Sequence, residues 1–227
     1  MKRLLLLSIT LACIALMTGC GGYSHNVRYR LTFAVEVKGE VKSASSVINV
    51  FYYGSDQVGA SGARGYSVTT GVAPVIDLGR DGWLVAAMHE NGEEYYRRMR
   101  AHGLSCKPPK SASRLLAAFG LHARELVKMR EGKRELADDS YPAFIWFPKG
   151  QPYTMAQQLC PDEFPKVIAS DVKLKSISIE LAPYASLKTQ LDIKTPWLDE
   201  MRIDQRRGYL GRSGVFKAKL TDMEWKG

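Results

Sequence analysis

The hydrophobic positions of this chain fall into three successive patterns. Leu4 to Met17 is a largely apolar run behind the cationic start Met1-Lys2-Arg3. It is shorter than the ~20 residues that cross a bilayer as a helix and has the length of a signal-peptide core. From Val27 the pattern becomes an alternation. Val27, Tyr29, Leu31, Phe33, Val35 and Val37 interleave with Arg28, Arg30, Thr32, Ala34, Glu36 and Lys38. Period two predicts a strand with one apolar face and one largely polar face. Gly39-Glu40 reads as a two-residue hairpin turn with glycine first. A return strand follows from Val41 to Tyr53, rich in β-branched and aromatic residues. After a glycine- and serine-rich loop at Gly54–Gly65, short strands are expected near Gly65–Thr70, Val72–Leu78 and Trp83–His89. A four-residue turn, Gly79-Arg80-Asp81-Gly82, separates the last two.

The third pattern is helical. Leu116, Phe119, Ala123 and Val127 recur at spacings of three and four, which predicts an apolar stripe that covers a sheet face. Ser111 or Ser113 supplies a cap and Gly132 a stop, so one main helix is expected over residues 112–130. Gly120 inside it costs about 1 kcal/mol relative to Ala. The charged stretch Glu93–His102 is also read as helical. Farther on, Phe144-Ile145-Trp146-Phe147 reads as a strand, Lys149–Phe164 as a loop with a helical turn at Thr154, and Val172–Leu181 as a strand. The apolar phase slips between Leu174 and Ile177, which places a bulge near Lys175-Ser176. Thr195-Pro196 opens a short helix through Met201, and Gly214–Gly227 forms an edge strand or tail. The fold expected is α+β: an antiparallel sheet led by the hairpin of residues 27–53, packed against the 112–130 helix in a single domain spanning 27–227.

Met17-Thr18-Gly19-Cys20 closes the leader with small residues before a cysteine. It resembles the lipobox of bacterial lipoproteins, which implies that residues 1–19 are removed and that Cys20 is acylated. Two or more acyl chains give stable anchoring, where one is marginal. Residues 20–26 would then be a short lipidated tether holding the domain close to the membrane. Gly21 in place of Asp favours the outer membrane by similarity with enterobacterial sorting. The address implied is a bacterial membrane, facing the periplasm.

The formal charge is +9; loss of Lys2 and Arg3 with the leader lowers it to +7. A basic surface attracts anionic lipid or another acidic envelope component. Nucleic acid is not expected as a partner, since no recognition motif occurs. Of the four cysteines, Cys13 leaves with the leader and Cys20 is the lipid site. Cys106 and Cys160 remain as the candidate disulfide in an oxidising compartment. Two buried thiols are the alternative.

Catalytic constellations are not legible. His89-Glu90-Asn91-Gly92-Glu93-Glu94 is dense in ligand types but lacks the second histidine of a His-Glu-x-x-His helix. No serine sits in a Gly-x-Ser-x-Gly elbow, and no phosphate-binding glycine loop occurs. No metal or cofactor is expected. Arg97, Arg98 and Arg100 with Arg206, Arg207 and Arg212 are a candidate anion site if the fold brings the two groups together.

Tyr29-Arg30-Leu31-Thr32 with Glu36, Ser45-Ser46-Val47-Ile48, Pro196-Trp197-Leu198 and Gly208-Tyr209-Leu210 together resemble a family of short uncharacterised proteobacterial lipoproteins or envelope proteins. The resemblance implies an envelope address and one domain; it implies no catalytic residue, and it lapses over residues 93–170. The reading preferred is a non-enzymatic binding or assembly module at the membrane. The alternative is a small periplasmic hydrolase whose site is assembled from distant residues.

Overall fold

The computed structural model describes residues 22–55, 66–87, 110–188, 190–191, 198–199 and 224–226. Among these the chain forms two antiparallel sheets. β1 (Gly22–Val37) and β2 (Glu40–Ser55) are a long hairpin, 16 residues in each strand. β3 (Tyr66–Val72) continues the sheet beyond β2. β4 (Val75–Asp77) and β5 (Trp83–Ala87) open the second sheet. β6 (Lys133–Glu135) returns to the first, and β7 (Ala143–Phe147) and β8 (Gln157–Leu159) complete the second. β9 (Val172–Leu181) pairs with β1, and β10 (Glu224–Lys226) with β3. The orders are β10-β3-β2-β1-β9-β6 and β4-β5-β7-β8.

The alternation does what its period requires. The odd-numbered residues of β1 from Val27 to Val37 are buried, and their partners Val50 and Ile48 on β2 and Leu181, Ile179 and Ile177 on β9 share the inward face. The second sheet packs against that face. Phe33 of β1 meets Phe144 of β7 with ring centroids 5.8 Å apart, and Phe144 meets Phe164 edge-on at 5.3 Å. The predicted bulge is present: Ala34 pairs with Ser176 but Val35 with Leu174, leaving Lys175 as the extra residue. Its ammonium bonds the Glu36 carboxylate. That hydrogen bond, then the Lys175 charge itself, holds the Glu36 carboxyl below the ordinary value.

The expectation of an α+β fold with one main helix is overturned. Residues 112–130 form α1 (Ala112–Leu115), a 3₁₀ turn (Leu116–Phe119) and, after a break, α2 (Ala123–Leu126). The described fold is two packed sheets with short helical turns between them. The physical reason is Gly120. It adopts φ 68, the left-handed conformation that ends helices, and its N–H bonds the Ala117 carbonyl. Ala112, Leu115, Leu116 and Phe119 are buried at helical spacing before the break. The chain then restarts at His122, whose N–H donates to Glu125 Oε2 at 2.9 Å. The sheet holds this segment through two tyrosines: Tyr29 Oη donates to the Ala112 carbonyl at 3.1 Å and Tyr52 Oη to that of Ser113 at 3.3 Å. Burial raises both phenols, Tyr52 to about 12 and Tyr29 well above its ordinary value.

Three smaller expectations shift. The hairpin turn is Lys38-Gly39, not Gly39-Glu40, with Val37 opposite Glu40. Both turn residues have positive φ, 54 and 81, the signature of a type I′ turn. Residues 22–26, read as tether, are already strand and pair with Phe51–Ser55. β6 and β8 were not foreseen, because Lys133–Glu135 and Gln157–Leu159 carry no strand-like periodicity. Glu93–His102 and most of Thr195–Met201 lie outside the described residues.

Candidate functional site

β3 pairs with β2 only through Ile48–Tyr53. Among the described strands, the stretch Glu40–Val47 therefore has β1 on one side and no partner on the other. The chain leaving β3 turns away at Ala73-Pro74 to start the second sheet. After β9 the chain comes back beside this edge. Ala182 donates to the Arg28 carbonyl at 2.9 Å, and the Arg28 guanidinium donates to the Ala185 carbonyl at 3.2 Å. The β2 edge at 44–47, the corner at 72–75 and residues of the 186–191 segment enclose an open cleft of about 360 Å³.

The polar lining is cationic and hydroxylic: Arg30, Lys188, Ser45, Ser46, Ser186 and Gln190. Arg30 is exposed on the outward face of β1, opposite Val47 on β2 and Glu180 on β9. Glu180 is also opposite Lys133 on β6, so two cations share that carboxylate's field. A guanidinium, an ammonium and several hydroxyl donors converging on one cleft suit an anionic group. The guanidinium supplies a planar fork and the ammonium a point charge.

The residues anticipated from sequence lie mostly elsewhere. Cys20, Cys106, Arg97, Arg98, Arg100, Arg206, Arg207 and Arg212 are outside the described residues, as is the His89–Glu94 loop. Cys160 is fully buried and disulfide-bonded; its N–H donates to Glu163 Oε2 at 2.7 Å. His25 is half-buried on β1 and His122 is exposed at the start of α2. Among the described residues no group of three or more His, Cys, Asp or Glu side chains is placed to hold a metal, and no helix is long and apolar enough to cross a membrane.

The cleft cations were not foreseen as a pair. The alternation put Arg28 and Arg30 on a polar face, which is the ordinary place for solvated charge. Nothing in sequence joined Arg30 to Lys188, 158 positions away. Register joins the segments Tyr29–Thr32 and Ser45–Ile48, with Tyr29 facing Ile48 and Thr32 facing Ser45, and of these Arg30, Ser45, Ser46 and Val47 line the cleft.

A second surface feature lies at the other end of the hairpin. Phe51 and Tyr53 are 38% and 40% exposed on the outward face of β2, their ring centroids 5.9 Å apart. No protein-family model, curated protein or solved structure matches this chain.

Proposed function

We propose that the chain is a bacterial lipoprotein, anchored through acylated Cys20 and facing the periplasm, whose β-domain is a binding or assembly module in the envelope. The observation that carries this reading is the order of the first 22 residues. A cationic start and an apolar run lead to Thr18-Gly19-Cys20, and β1 starts at Gly22. An acyl chain on Cys20 therefore precedes the first described strand residue by two positions and interrupts no described element. Gly21 favours the outer membrane as the destination.

The cleft beside Arg30 and Lys188 is the binding site in this reading, and its ligand is an anionic lipid headgroup or another anionic envelope component. Arg30, Ser45 and Ser46 are already held on paired strands, so little ordering cost attends their part in binding. The anchor is tested with labelled palmitate. The natural chain is expected to take up label and sediment with membranes, and Cys20→Ser to lose both. A Cys20→Ser chain that keeps label and stays in the membrane ends the lipoprotein reading. The cleft is tested by photocrosslinking in intact cells from a probe at Ser45. Arg30→Glu with Lys188→Glu should remove the captured product, and an unchanged product would exclude the cleft.

A further inference from the structure

We propose that the outward face of the β1–β2 hairpin, at the end bearing Phe51 and Tyr53, lies against the headgroup layer of the membrane that holds Cys20. The inference deepens the lipoprotein reading and rests on it.

The distance argument comes first. Register sets Tyr53 opposite Ser24 and Phe51 opposite Asn26. At ~3.4 Å per residue, Ser24 is at most ~14 Å and Asn26 ~20 Å along the chain from Cys20. An anchored Cys20 thus leaves the hairpin end no room to stand clear of the surface. The inward face of this end is committed to the core, with Val27, Tyr29, Val50 and Ile48 buried. Among the described residues the outward face of this end carries both exposed rings, with Ser24 and Asn26 exposed beside them and Asn49 buried behind them.

Charge and chemistry agree with that orientation. The outward face near the chain start holds Ser24, Asn26, Phe51 and Tyr53, then Arg28 and Arg30. Among the described strands Glu36, Glu135 and Glu180 of this face stand opposite or beyond Arg30, toward the hairpin turn or the sheet edge. Aromatic rings settle at the headgroup level, where one end meets hydrocarbon and the other water. Behind them the exposed Arg30 suits lipid phosphates, while the half-buried Arg28 is held on the Ala185 carbonyl. Val41 is a control built into the same strand. It is 61% exposed on the same outward face, opposite Glu36, yet lies roughly 35–40 Å farther along the hairpin.

The experiment uses the acylated chain in phosphatidylethanolamine–phosphatidylglycerol vesicles, with a photoreactive phenylalanine analogue placed singly at Phe51, Tyr53 or Val41. Lipid adducts at 51 and 53 several-fold above those at 41 are expected. Equal yields at all three positions, or adducts confined to 41, overturn the orientation while leaving the anchor intact. Palmitate labelling of the same preparations separates the two claims. Without palmitate, adducts at 51 and 53 would show surface docking without an anchor, and their absence would dispose of both.

Discussion

At Gly82 the backbone takes φ 98, and a Cβ there would stand 2.0 Å from the carbonyl oxygen of Phe147. This is where the chain enters β5 alongside the end of β7, with Trp83 opposite Phe147. Trp146 Nε1 also donates to the Asp81 carbonyl at 2.6 Å, pinning the turn from the other side. Gly82→Ala must move one of two fixed backbones, so a loss of about 3 kcal/mol is expected in urea unfolding. The buried phenols give a second residue-scale prediction. Tyr29 and Tyr52 are held protonated by burial, so their folded values lie above the unfolded 10.0. Stability from this source is complete below pH 10 and is lost as pH rises through the folded values, about 12 for Tyr52. Urea midpoints should fall from pH 10 upward, in step with phenolate absorbance, and Tyr52→Phe should flatten the decline. A midpoint indifferent to alkali would show that neither hydroxyl is held by burial. Such residue-scale features were opaque beforehand, because close approach of Gly82 to Phe147 depends on a strand pairing across 65 positions.

The elements divide between what local pattern decides and what it leaves free. The bulge at Lys175 was visible because an apolar phase slip is itself a local pattern. The hairpin turn was not, and the reason is parity. A turn at Lys38-Gly39 or at Gly39-Glu40 puts the even-numbered residues of β2 on the inward face in either case, so alternation cannot choose between them. The observed turn places Lys38 at φ 54, a conformation that Asn tolerates better than Lys. Lys38→Asn is therefore expected to stabilise the fold by about 0.5 kcal/mol, seen as a higher denaturant midpoint with an unchanged slope. A lower midpoint would mean that the Lys38 side chain contributes more than its strained backbone costs. The misread helix has a different cause. The stripe Leu116, Phe119, Ala123 and Val127 has helical spacing, but it runs across Gly120, and one left-handed residue restarts the helical phase. Leu126 is consequently buried while Val127 is only half-buried.

For the whole molecule, the question is what ties the second sheet and the segments around it to the hairpin. The partition into two sheets was not readable, since β5 and β7 meet only after the chain between them has folded back. Packing supplies one tie, through Phe33, Phe144 and Phe164. The disulfide at Cys160 constrains the second sheet itself. Cys160 follows β8 directly and opens the turn Pro161–Glu163 that leads into α3 (Phe164–Val167). A cross-link there fixes the outer strand of the second sheet just before the buried Phe164. In the proposed lipoprotein reading Cys13 is removed and Cys20 acylated, which leaves Cys106 as the expected partner and a loop of more than fifty residues. In the chain-entropy view such a loop is worth roughly 4 kcal/mol. Non-reducing peptide mapping is expected to recover residues 106 and 160 in one linked peptide pair. Cys160→Ala should lower the unfolding free energy by about that 4 kcal/mol, and reductant should reproduce the loss in the natural chain but add nothing to the variant. If reductant leaves the natural chain unmoved, the two-sheet body is held by packing alone, and the unfolded ensemble is already compact enough to make the bond redundant.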